Sequence, residues 1–164
     1  MADTTTSALQ SYSIVAATLA AGFNLSTSLV TIPVLLQSPV GQLASQWQTM
    51  FNRGITPVVS LAMTSAVGFM TLAYRVHTAS QRLSSGTDVS TRNLYIGAAV
   101  ATFGLAPYTQ ILMGGTNSEL ARRAALQSAQ AGTYELVQRW GTFNLWRGVM
   151  LLVGAVVGTW ATAR

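Results

Sequence analysis

The chain has 164 residues, 50% of them hydrophobic and 8% charged, where a soluble domain carries about 25% charge; this is the composition of a protein that sits in a bilayer. Its net charge of +5 comes from nine Lys and Arg, all of them arginine, against four acids and one histidine, and the arginines are scattered. That leaves no basic stripe with interleaved aromatics for a nucleic acid, and the lack of cysteine removes disulfides, thiolate metal sites and cysteine nucleophiles together.

The length allows one membrane domain, 1–164, and the hydrophobic runs predict an all-α fold: an integral membrane four-helix bundle with short amphipathic interfacial helices, spanning at about 13–36, 57–74, 94–113 and 142–162. The start, MADTTTSALQSYS, lacks the positive region of a cleaved signal, so the first hydrophobic segment is expected to stay as a span. In 13–36, Asn24, Ser28 and Thr31 follow i, i+4, i+7 spacing, and Ala17 and Ala21 extend the stripe. Small and polar residues in such a row mark the side packed on other helices. Pro33 is expected to bend the last turn.

The segment 37–56 is too polar to span. Leu43, Trp47, Met50 and Phe51 share one face, which predicts a short amphipathic helix lying at the interface or capping the bundle, anchored by Trp47 and Arg53. Pro57 then opens the second span in a tolerated first-turn position, and Ser60, Thr64, Gly68, Thr71 and Arg75 form its small and polar face. A Ser/Thr-rich loop, 78–93, holds Arg82, Asp88 and Arg92. The third span is kinked at Pro107 and is expected to end at Gly114 and Gly115, with Thr116 or Asn117 capping a polar amphipathic helix over 118–130.

Gly132 breaks that helix, and the last one starts near Thr133. On a wheel of 100° per residue, Trp140, Asn144, Arg147, Leu151, Gly154 and Gly158 share a face. The Gly154-x-x-x-Gly158 spacing admits close approach of a helix of the same chain or of a second copy, so a homo-oligomer is open. Arginines balance across the two sides, and orientation in the membrane is open as well.

An arginine left in hydrocarbon at mid-helix costs at least ~3 kcal/mol, so Arg147 should point into protein and mark a functional site, unless it snorkels to headgroups or pins a carbonyl. A metal centre needs several converging His, Cys, Asp or Glu side chains, but Asp3, Asp88, Glu119 and Glu135 lie in tails, loops or helix ends; no metal site is expected. His77, at the end of the second span, reads as an interfacial group, a general base, or the single ligand of a haem. No phosphate loop or G-x-S-x-G nucleophile is present. What remains is a polar cavity around one fixed positive charge. Asn144 lies one turn from Arg147, Trp140 offers a flat stacking surface, and Asn24, Thr64, Tyr108, Thr109 and Asn117 are further donors.

The stretches NLSTSLVTIPVLL, APYTQILMGGTNSEL and RWGTFNLWRGVMLLVGAVVG resemble the anthrone oxygenase family of small membrane proteins. That family's pattern, a span ending in Pro-x-Thr, a downstream Thr-Asn, then Trp, Asn and Arg in the last helix, falls on Pro107, Thr109, Thr116, Asn117, Trp140, Asn144 and Arg147. The resemblance implies oxidation of a small aromatic polyketide, an anthrone, to its anthraquinone in secondary-metabolite biosynthesis, with O2 as co-substrate and without metal or flavin. It also implies an internal membrane, such as the endoplasmic reticulum if the source is a fungus. On this reading Arg147 and Asn144 hold the developing oxyanions, Trp140 and Tyr108 pack the rings, Asn117, Thr109 and Asn24 line the pocket, and His77 is the candidate base. The alternatives are a non-catalytic scaffold or small transporter of the same family, and a haem-bound oxygenase.

Overall fold

Long apolar runs can satisfy their backbone groups in lipid only as helices or closed barrels. In the computed structural model, which describes residues 4–83, 88–127 and 129–164, every element is helical. Helix α1 (Thr4–Ser26) passes through a wide π-helical turn (Thr27–Thr31) into the short α2 (Ile32–Leu35). Helix α3 covers Val40–Leu83. Helix α4 (Asp88–Phe103) leads through α5 (Leu105–Tyr108) and a second π-helical turn (Thr109–Met113) to α6 (Gly114–Leu126). Helix α7 (Thr133–Thr162) closes the bundle after Gly132, whose φ of 76° turns the chain. Four stretches, Thr4–Leu35, Val40–Gln81, Val89–Leu126 and Thr133–Thr162, are long and apolar enough to cross a membrane. The chain is therefore a multi-pass membrane protein.

Helix α1 packs on α3 and α7, and α4 packs on the same two from the other side. Small residues set how closely they approach. Ala17, Ala20, Ala21, Ala62 and Ala98 are fully buried, and a Cβ at Gly154 would stand 2.7 Å from Thr102 Cγ2 on α4. One at Gly158 would strike the Phe69 ring on α3. The glycine pair thus serves helices of the same chain. In lipid, where apolar burial gives no driving force, such close van der Waals contact holds helices together.

Several boundaries differ from expectation. The short helix expected over 37–56 is the first part of α3, which runs straight through Pro57. The prolyl ring removes a hydrogen bond to the carbonyl of Arg53, and both residues are on the exposed side, where outside groups can replace it. Trp47 is fully buried and caps the bundle rather than anchoring at its surface. Of the expected loop 78–93, helix α3 takes the part to Leu83 and α4 the part from Asp88; residues 84–87, and the side chains of Arg82 and Asp88, lie outside the described residues. Gly114 and Gly115 do not end the third helix. They open α6 directly after the π-helical turn, and no side chain there caps the helix. The stripe Ser60 to Thr71 does not face Arg147: Ser60 and Thr64 are exposed, and Thr64 Oγ1 donates to the Ser60 carbonyl at 2.8 Å. The buried face of α3 is instead Val58, Ala62, Ser65, Phe69 and Leu72.

The glycine contacts give a direct stability test. Gly158→Leu should lower the melting temperature in detergent by overpacking against Phe69, at a cost of about 1–3 kcal/mol. Gly22→Ala, where an added Cβ meets nothing within 4 Å, should hold or raise it, and comparable losses in both would refute the packing role of Gly158.

Candidate functional site

Arg147 stands at the middle of the 30-residue helix α7, about 20 Å from either end. It is 4% exposed, its Nε has no acceptor, and no described residue forms a hydrogen bond or ion pair with it. The described ion pairs are those of Glu119 with Arg122 and Arg123, on α6. The guanidinium is thus a buried cation without a counter-ion. Tyr108 lies within its electrostatic reach.

The polar groups beside it are held by the junction of α1 and α7. Asn144 Nδ2 donates to the Asn24 carbonyl and to Ser28 Oγ, both at 2.9 Å, and Asn24 Nδ2 donates to the Ala20 carbonyl at 2.9 Å. Both asparagines are buried. Both asparagines and Arg147 line the same cavity. The π-helical turn begins at Thr27, one turn after Asn24, and such turns recur at functional sites because they re-aim side chains.

Aromatic rings cover the other side. Trp47 stacks on Phe51 at 5.0 Å, and Trp140 meets both edge-on, at 5.6 Å and 6.3 Å. Trp140 Nε1 donates to Asn117 Oδ1 at 2.8 Å, which fixes its ring plane from α6. Between these walls is a cavity of about 30 Å³ lined by Phe23, Asn24, Phe51, Trp140, Asn144 and Arg147, with Thr27, Met50, Gly54, Ile55 and Val58 completing it. That is room for about one water molecule.

Of the residues singled out from sequence, Arg147, Asn144, Trp140 and Asn24 therefore meet at one cavity. Asn117 stands behind Trp140, and Tyr108 packs against the aromatic cluster that contains it. Thr109 does not line the cavity; its hydroxyl donates to the Leu105 carbonyl at 2.7 Å, within the helix distorted around Pro107. Thr64 is exposed, accepting from Tyr12 at 2.9 Å. His77 is not brought to the cavity. It lies about six turns, or some 30 Å, along α3 from Gly54, in a groove with Tyr74, Arg92 and Ile96, and its ring nitrogens lie 3.4 Å from Arg92 Nη1 and 3.3 Å from Gln81 Nε2. The face of Met50 and Phe51 was visible in the sequence, but its pairing with Trp140 was not; Phe23, Gly54, Ile55 and Val58 carry no polar signal that could have singled them out, and Thr27 lies off the row of Asn24, Ser28 and Thr31.

Chemically, the cavity offers a guanidinium fork, carboxamides, a hydroxyl and aromatic faces. Among the described residues no three His, Cys, Asp or Glu side chains converge, and none of the cavity residues is an acid or an imidazole. The arrangement suits an oxyanion on a flat aromatic frame.

A family model described as anthrone oxygenase matches residues 47–157, which include Trp47, Trp140, Asn144 and Arg147. Among curated proteins, the chain is 30% identical over 160 residues to the monooxygenase hypC of Dothistroma septosporum, covering 92% of this chain and 80% of that protein. It is 29% identical to an anthrone oxygenase of Claviceps purpurea, over 84% of this chain and 78% of that one. It is 27% identical to the anthrone oxygenase encC of Aspergillus fumigatus, over 82% and 81%. No solved structure matches the chain.

An unpaired buried charge destabilises the fold that contains it. Arg147→Met, which keeps the length and removes the charge, should raise the melting temperature of the ligand-free protein by an amount equivalent to about 1–4 kcal/mol. Asn144→Leu should lower it by about 1–3 kcal/mol, since it strips the Asn24 carbonyl and Ser28 of their donor. A fall with Arg147→Met would show that the guanidinium is a structural strut.

Proposed function

The chain belongs to the anthrone oxygenase family, and from that premise we propose that it oxidises an anthrone to the corresponding anthraquinone with O2, at the cavity around Arg147 and without metal or flavin. The observation that carries this reading is the buried guanidinium with no counter-ion, set between carboxamides and aromatic rings. A site that holds a cation unpaired in its resting form is prepared for an anion that arrives or forms there.

An anthrone has a CH2 between two aryl rings, joined through them to a ketone. Loss of one proton to water gives an anthrolate whose charge rests largely on oxygen. Arg147 donates to that oxygen, which lowers the cost of the proton loss; none of the cavity residues is positioned as a dedicated base, and His77 is too distant to serve. The electron-rich anthrolate passes one electron to O2, and the two radicals combine at the former CH2 carbon. The resulting peroxide takes back a proton, then loses water to leave the second carbonyl. One oxygen atom of O2 enters the quinone and the other leaves as water, so anthrone and O2 give anthraquinone and water. Asn144 is placed to donate to peroxide oxygens only if its amide turns from Asn24 and Ser28; in its resting position it holds α1 against α7 and so fixes where Arg147 points. The rings of Trp140 and Phe51 supply stacking faces, and a dry aromatic enclosure strengthens the guanidinium contact.

Membranes from a host expressing this chain should turn an anthrone into its quinone faster than air oxidation does, with one 18O atom incorporated from 18O2. Arg147→Met and Asn144→Ala should each lower the rate by about 100-fold or more while the protein still reaches the membrane. Full activity in both variants would remove the cavity from the mechanism, and a rate equal to the uncatalysed one with the native chain would leave a non-catalytic membrane protein of the same family.

A further inference from the structure

The cavity holds about 30 Å³, whereas small-molecule sites enclose roughly 300 Å³ or more. A substrate of three fused rings therefore enters only if one wall moves, and the walls are not equally free. Asn24, Trp140 and Asn144 are buried and hydrogen-bonded between helices. Val58 belongs to a packed core of alanines and leucines. The opposite wall is Phe23 on α1 and Ile55 on α3, which are 45% and 36% exposed on the flank of the bundle, within stretches long and apolar enough to cross a membrane. Neither side chain is held by any polar contact.

Gly54 explains why the Phe23 ring can lie where it does. Gly54 is buried against α1, and a Cβ added there would stand 2.9 Å and 3.1 Å from Cε1 and Cζ of Phe23. The ring occupies the volume of the missing side chain and so closes the seam between α1 and α3. Because lipid tails are as apolar as the protein wall, swinging the ring outward exchanges one apolar contact for another at little cost. The wide helical turn at Thr27–Thr31 follows one turn later on the same helix.

Resting on the oxygenase reading of this site, we propose that the seam between α1 and α3 is the substrate entrance, that Phe23 is its gate, and that Gly54 sets the size of ring system it passes. The substrate comes sideways out of the bilayer, its oxygen reaching Arg147 while its rings take the volume that Phe23 vacates, against Phe51 and Trp140. Phe23 and Gly54 thereby determine specificity without contacting the reacting carbon.

The test uses the full-length chain in nanodiscs with a plain anthrone and a bulkier, ring-substituted one. Gly54→Leu, which adds a side chain beneath the Phe23 ring, should lower kcat/KM for both by at least about tenfold. Adding Phe23→Ala should restore it, because the leucine then takes the place of the ring. Phe23→Ala alone should raise the ratio of kcat/KM for the bulky substrate over the plain one by about tenfold. Leu19→Ala, a lipid-facing change one turn before Phe23 with 57% exposure in the native chain, should alter neither. If Gly54→Leu fails to accumulate, the Phe23→Ala ratio decides alone. Native activity with an unchanged ratio in Phe23→Ala overturns the gate and leaves the oxygenase reading standing; no activity in the native chain overturns both.

Discussion

A guanidinium in the middle of a membrane bundle, with no acid among the described residues to neutralise it, is the constraint on which the remaining architecture depends. The cost of leaving such a charge in hydrocarbon forces Arg147 inward, and once inward it needs polar surroundings that lipid cannot supply. Asn144 and Asn24 provide them by tying α7 to α1, and their amides consume backbone carbonyls rather than water. The aromatic cluster of Trp47, Phe51 and Trp140 then covers the other side of the site. Removing the charge would ease the fold and empty the site of its chemistry, a common tension between stability and function.

The two π-helical turns belong to the same arrangement. One follows Asn24, the other lies between Pro107 and Gly114, and both sit where α1 and the third transmembrane stretch pass the polar region. A regular helix would carry its buried face onward in an unbroken stripe. Each wide turn shifts that stripe, so that Ile32 replaces the continuation of the Asn24 row, and Met113, Thr116 and Leu120 become the buried residues of the third stretch. Asn117, next to this new row, reaches Trp140.

Much of this was legible in the sequence because helical periodicity and polarity reinforce each other in α7. Trp140, Asn144, Arg147, Leu151, Gly154 and Gly158 were read as one face, and all six are buried. Ala17, Ala21 and Asn24 were legible for the same reason, whereas beyond Asn24 the wide turn moves burial from Thr31 to Ile32. The reading failed where residue chemistry was asked to stand in for position along a helix. His77 has the right chemistry for a base, and the sequence places it at the end of a span, but does not say toward which end of the bundle the Arg147 cavity lies; the two are far apart along the course of α3. Pro57 and the Gly114-Gly115 pair look like boundaries, yet a proline on an exposed face and glycines at a wide turn interrupt nothing. Ser60 and Thr64 look like an interior stripe, but both are exposed, and the Thr64 hydroxyl is satisfied by its own helix and by Tyr12.

The placement of Arg147 also bears on how the chain is made. Helix α7 leaves the ribosome after α1, and its central charge opposes spontaneous partition by about 2.5–3.5 kcal/mol, against a few tenths gained from each leucine or valine around it. Its partner, the Asn24 and Ser28 surface of α1, is already in the membrane by then. Insertion of α7 is therefore coupled to α1, and these two helices, far apart in sequence, must find each other before the bundle is complete.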